Sequence, residues 1–215
     1  MNRLARWTRG DWQITGWLKG KLNLLSKFKI FDNLRRSLFE ILTIILLGWS
    51  IYLNANWLTT VALGIVIFPF ILEMFSLAFS RKEGEKKQKT FVPHIAGFKG
   101  SIYRAILTLG CVPYKAYIEL MEISKTIYRL VISHKHLLEW MTSEEAEKQS
   151  KTSIINYYKM MFLNVVLGGL LIAVTVLYNK WLLTIIGILW IITPSSVLKP
   201  MMSSPGIGLQ HGAML

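Results

Sequence analysis

Two long apolar blocks, at roughly 38–80 and 157–198, constrain this chain more than any other feature. Each is about twice the length of one bilayer crossing, for which about 20 apolar residues suffice. Each also has a short polar tip near its middle, Asn54-Ala55-Asn56 in the first and Asn179-Lys180 in the second. Such a block predicts a helical hairpin, because in hydrocarbon a helix satisfies its backbone polar groups within itself. The expected spans are 38–53, 57–79, 157–178 and 181–198. The expected fold is therefore an all-α membrane protein with four transmembrane helices in two hairpins, plus amphipathic interfacial helices.

Composition agrees. Of 215 residues, 53% are hydrophobic and only 17% are charged, more apolar than an ordinary soluble domain. The net charge of +13 would suggest nucleic acid in a soluble protein, but here the basic residues flank the apolar blocks. Membrane orientation and anionic lipid explain them better, and four expected spans disfavour nucleic-acid binding. Nine Lys/Arg lie in 1–36 and thirteen in 81–156, against none and one at the two hairpin tips. The N-terminal block and the central loop are thus expected on the cytoplasmic side. Cys111 stands alone, so no internal disulfide is possible, and a buried apolar role is expected for it. The first 20 residues are polar and aromatic, unlike a cleavable signal peptide.

Segment 1–36 interleaves its basic residues with Trp7, Trp12, Trp17 and several Leu and Phe, a mixture suited to the headgroup layer, and Gly10, Gly16 and Gly20 are expected to break it into short pieces. Trp49, Tyr52 and Trp57 near the first tip read as an aromatic belt at the far interface, and Pro69 should kink the second span. Glu73 is the one acid well inside an apolar run. It is either a functional carboxylate or one that reaches toward Arg81 or Lys82, and the second reading is preferred.

Residues 81–156 combine a charged linker with an amphipathic helix. Over 101–140, Lys115, Glu119, Glu122, Thr126, Arg129, Ser133 and His136 trace one polar stripe at spacings of three and four. Thr142 and Glu145 match a capping box, Gly168-Gly169 permits close helix contact, and the tail 199–215 is expected to be disordered.

The chain lacks a glycine-rich phosphate loop, zinc-ligand spacing and any Asp-x-Asp pair. His134 and His136 are two apart, on different helix faces, and are poor co-ligands. Its own residues offer no complete catalytic set.

The start resembles a family. Arg3-Leu4-Ala5-Arg6-Trp7 fits the (Gln/Arg)-x-x-Arg-Trp pattern of processive membrane glycosyltransferases. With Thr8-Arg9-Gly10-Asp11-Trp12-Gln13, Asp32-Asn33-Leu34-Arg35-Arg36-Ser37-Leu38, Pro113-Tyr114-Lys115-Ala116 and Leu137-Leu138-Glu139-Trp140-Met141-Thr142, the chain resembles the cyclic β-1,2-glucan synthases over about residues 1–198. The resemblance implies glucosyl transfer from UDP-glucose to a growing β-1,2-glucan, with a divalent metal (Mg or Mn) in the full-length enzymes, at a bacterial inner membrane. It implies that Trp7 stacks on the acceptor sugar and Arg6 helps hold the pyrophosphate, with Arg3, Asp11 and Trp12 completing the substrate-binding set. Stacking suits the apolar face of an indole, and a guanidinium suits phosphate oxygens.

In this reading 1–36 is the closing edge of a glycosyltransferase domain with interfacial helices, 37–80 is hairpin one, 81–156 is cytoplasmic, 157–198 is hairpin two and 199–215 is tail. The family's nucleotide-binding and metal-binding aspartates belong upstream, so the chain is expected to be a truncated or split piece. Its expected partners are the lipid bilayer, the missing glycosyltransferase and other synthase domains, and the glucan acceptor. A small non-enzymatic membrane scaffold or transporter subunit is the alternative.

Overall fold

A computed structural model describes residues 3–79, 98–135, 154–178 and 180–202. Among these residues every regular element is helical and no strand occurs. Helix α1 (Arg3–Gln13) passes unbroken through Gly10 and leads by a 3-10 turn (Ile14–Lys19) to Gly20, where the backbone becomes extended. Asn23 then caps α2 (Leu24–Tyr52), its Oδ1 accepting from the Ser26 N–H at 2.8 Å.

Helix α2 differs from the expectation. Short pieces up to residue 36 and a span from 38 are one helix of 29 residues, about 43 Å long at 1.5 Å per residue. No Gly or Pro falls between Gly20 and Gly48. Asp32 also pairs with Arg35 at 2.8 Å and Arg36 at 3.3 Å, so helix-supporting interactions bridge the expected break.

The turn after α2 places Asn54 at φ 52°, a left-handed conformation that Asn tolerates better than most residues. Across it the Ser50 and Thr59 hydroxyls share a hydrogen bond, and α3 (Asn56–Phe79) packs back along α2. Pro69 lies inside α3 without ending it. Residues Asn56–Ser76 have a mean hydropathy of 2.1, and among the described residues this is the one helix with the length and composition of a bilayer crossing. Only 17% of it is buried within the protein, so its apolar surface faces outward. The apolar stretches Phe162–Val174 and Trp181–Ser196 are shorter.

Helix α4 (Phe98–Gly110) packs on α3, and α5 (Val112–Tyr128) follows after a break at Cys111. Pro113, a residue suited to a helix start or a kink, lies in the first turn of α5, where its missing N–H is harmless. Cys111 is buried, as expected. A π-helical turn (Arg129–Ser133) ends at His134, which is exposed with φ 50°. His136 and the capping box lie outside the described residues. The chain resumes with α6 (Ile154–Met160), α7 (Phe162–Tyr178) and α8 (Trp181–Met202). Helix α8 therefore extends four residues into the expected tail, and 203–215 lie outside the described residues.

Helices α7 and α8 approach closely at Gly168 and Gly187. A Cβ on either would lie 2.7 Å from the carbonyl oxygen of the other, while Gly169 has open space around it. The core joins Leu47 of α2, Ala62 of α3, Val112 of α5, Leu171 of α7, and Leu183, Ile186 and Trp190 of α8. The end of α4 is satisfied from elsewhere. Trp190 Nε1 donates to the Leu109 carbonyl at 3.0 Å, and Asn164 Nδ2 to the Gly110 carbonyl at 2.7 Å. Lys180, alone in charge at its tip, is buried and donates from Nζ to the Ser50 carbonyl at 3.0 Å, tying the second hairpin to α2.

Candidate functional site

Helix α1 shows how the Arg/Trp block is held. Ala5, Thr8 and Arg9 recur at spacings of three and four and are buried against the protein, while Trp7 is 64% exposed. Trp7 and Arg9 are two residues apart, about 200° around the helix, so one faces out when the other faces in. Arg9 donates from Nε (3.1 Å) and Nη2 (2.9 Å) to Oε2 of Glu122 on α5, with both side chains about 7% exposed. Lys125 approaches the other oxygen of Glu122 at 3.6 Å.

The next turn of α1 is fastened to α2. Trp12 Nε1 donates to Ser37 Oγ at 2.9 Å, and Ser37 in turn donates to the Leu34 carbonyl at 2.9 Å. Asn33 Nδ2 donates to Asp11 Oδ1 at 3.0 Å. Burial raises the pKa of Asp11 despite the opposing effects of Asn33 and Arg36. Asp32, by contrast, is held below the usual carboxylate range by its hydrogen bond from Arg35.

The five sequence-predicted residues therefore divide. Trp7 is presented outward, and Arg6 is half-buried beside it in sequence. Asp11 and Trp12 spend a polar group on contacts with α2. Arg3 opens α1. Arg9, Glu122, Asn33 and Ser37 were not among the expected site residues, yet they orient α1. The signal for Glu122 lay in the stripe of α5, whose Glu119, Glu122 and Thr126 turn inward while Leu120, Met121, Ile127 and Tyr128 are exposed. That these polar groups share the inward face with Val112, Ala116 and Ile123 could not be told from the spacing alone.

Two further carboxylates lie at helix contacts. Glu119 is buried beside Glu40 of α2, and Lys115 Nζ approaches Glu40 at 3.9 Å. Burial, followed by the Glu40 charge, pushes the Glu119 pKa up to about 9, and its Oε2 has no hydrogen-bond partner. Glu73 accepts from Ser101 Oγ at 2.9 Å and pairs with Arg104, both on α4. Its partner is thus the neighbouring helix; Arg81 and Lys82 lie outside the described residues. Among the described residues no three His, Cys, Asp or Glu side chains are grouped to hold a metal ion.

Fold and site together define an all-helical chain with a bilayer-length apolar helix, an apolar exterior, and a basic-aromatic helix locked onto its neighbours. No family model matches it. It is similar to cyclic beta-(1,2)-glucan synthase NdvB of Rhizobium meliloti (strain 1021), 26% identical over 171 residues that cover 75% of this chain and 6% of that protein. The chain thus spans a small part of the relative it matches.

Proposed function

We propose that this chain is the membrane portion of a β-1,2-glucan synthase and forms the acceptor side of its glucosyl-transfer site. In this reading four helical crossings anchor it in a bacterial inner membrane, in the segments 38–53, 57–79, 157–178 and 181–198. The N-terminal block and central loop lie on the cytoplasmic side, and UDP-glucose is bound by a glycosyltransferase domain outside this sequence. Trp7 stacks on the terminal glucose of the growing chain and Arg6 steadies the departing diphosphate, with Arg3 alongside. Asp11 and Trp12 act by fixing α1 to α2. The divalent metal that the family resemblance implies belongs to that glycosyltransferase domain.

One observation carries the reading. Trp7 faces outward from a helix whose opposite side is locked by a buried ion pair and by the Trp12–Ser37 hydrogen bond. A positioned, exposed indole is what pyranose stacking requires, since positioning reduces the ordering cost at binding. The similarity to the Rhizobium meliloti synthase supports the substrate class. In a full-length relative, Ala at the residue equivalent to Trp7 should abolish glucan synthesis while membrane insertion persists. Full synthesis would refute the stacking role.

A further inference from the structure

The two hairpin tips meet around a buried cation. Lys180 is only 6% exposed, yet among the described residues no carboxylate pairs with it. Its Nζ donates to the Ser50 carbonyl at 3.0 Å, and that carbonyl also accepts from the Ala55 N–H at 3.0 Å. An ammonium carries three donors, so this one shared acceptor leaves most of its capacity unspent among the described residues. No Asp or Glu occurs between Glu40 and Glu73 or after Glu147, so neither hairpin has an acid near its tip. A charge taken out of water is costly unless an opposite charge and hydrogen bonds offset it.

Lys180 lines a cavity of about 110 Å³ together with Asn56 and Thr59 of α3 and Trp181, Leu182 and Leu183 of α8. These residues form the first turns of the two helices. The first N–H groups of a helix have no partner within it, and the aligned peptide dipoles add partial positive charge at that end. A buried ammonium and two helix starts thus border one space, all with the same sign of charge. The Thr59 hydroxyl is engaged with Ser50, while Asn56 is exposed and can offer its amide. A phosphate group suits such a space, because its several oxygens accept from separate donors at once. We propose that this cavity binds a phosphate-class oxyanion, free or carried by a lipid headgroup, which supplies the counter-charge for Lys180. The site is distinct from the lock on α1. Ser37, which holds Trp12, and Ser50 are 13 residues apart along α2, about 20 Å at 1.5 Å per residue. Only its sidedness, facing away from the cytoplasm, rests on the four-crossing reading above.

The test uses the full chain labelled with 5-fluorotryptophan and stripped of phospholipid in an uncharged maltoside detergent. Trp181 lines the cavity and Trp57 follows Asn56, so their fluorine resonances, assigned with Trp57→Phe and Trp181→Phe, report on it. Inorganic phosphate, exchanged for sodium chloride at constant ionic strength, should move both resonances saturably. Dihexanoyl phosphatidic acid below its micellar concentration is the second arm. Saturation at a far lower concentration than phosphate assigns a lipid headgroup as occupant, and equal or weaker binding assigns free phosphate. Lys180→Gln should raise the half-saturating concentration of either ligand roughly tenfold or more. Asn56→Asp keeps Lys180 and sets a carboxylate at the cavity; it should weaken phosphate binding by a similar factor, and it decides the matter if Lys180→Gln does not fold. No movement of either resonance with either ligand, or equal saturation in the wild type and these two variants, would overturn the site. The glucosyl-transfer reading would then still stand, since none of its residues borders the cavity.

Discussion

Removing the carboxylate at Glu122 should cost far more than removing most carboxylates of this chain. Both side chains of the Arg9–Glu122 pair are about 7% exposed, and Glu122 accepts two hydrogen bonds from one guanidinium. Glu122→Ala would leave a buried positive charge without its carboxylate, a loss for which about 3–5 kcal/mol is typical. Even the lower figure shifts the equilibrium between docked and detached α1 more than a hundredfold, since about 1.4 kcal/mol is tenfold. The double variant Arg9→Met with Glu122→Leu should recover most of that loss, because two apolar groups of similar volume need no desolvation. The exposed pair Arg35–Asp32 provides the contrast. Its arginine side chain is 59% exposed, and Asp32→Asn should leave stability nearly unchanged, because solvent screens an exposed pair. Hydrogen exchange at the amides of α1, in detergent or nanodiscs, reads the detachment directly. Glu122→Ala should accelerate exchange across α1 while α7 and α8 remain protected. If α1 amides exchange at the wild-type rate in Glu122→Ala, the ion pair does not hold the helix, and the argument that orients Trp7 fails with it.

The remaining expectations concern other parts of the fold. Glu119 has a folded pKa of about 9 against an ordinary 4.5, so its contribution is greatest at low pH and falls as pH rises from about 4.5 toward 9; thermal melts should show that decline, and Glu119→Gln should flatten it. Gly168→Val should separate α7 from α8 and cost several kcal/mol, roughly the scale of core overpacking, whereas Gly169→Ala meets open space and should be neutral or gain up to about 1 kcal/mol in helix propensity; SDS titration of the two variants checks the pair. Asn54→Gly should be tolerated at φ 52°, and Asn54→Val should destabilise the α2–α3 turn by about 1–2 kcal/mol in the same titration. The purified chain should not turn over UDP-glucose, and release of UDP would show that a catalytic carboxylate within it has been overlooked.

Much of the helical layout was legible in the sequence because its signals are local. The polar tip at Asn54 and the apolar run of α3 each specify their structure through neighbours a few residues away. The start of α2 was not legible in this way. A change from basic to apolar residues at 37 marks a change of surroundings, not a change of backbone, and an uninterrupted helix crosses it. The site was legible in part. Spacing identified α5 as two-faced, but spacing alone does not say which face turns inward. That depends on what the helix packs against, and Arg9 lies 113 residues away from Glu122.

The direction of that face bears on how the chain works. In water, Glu119, Glu122 and Thr126 would be expected outside and Leu120, Met121, Ile127 and Tyr128 inside; the observed order is the reverse. Burying carboxylates is costly unless something compensates, and here Arg9 donates twice to one oxygen of Glu122 while proton binding neutralises Glu119. The same reversal recurs at Ser50 with Thr59, at Asn164, and at Lys180, all buried and all hydrogen-bonded across helices. Interhelical polar contacts of this kind can hold a bundle together where apolar burial between helices brings little gain, as in lipid. Helix α1 joins the bundle through the same device. Its orientation is therefore set by directional bonds to α2 and α5, not by a greasy interface that tolerates sliding. That is how Trp7, though exposed, can be kept at one angle on the edge of the bundle.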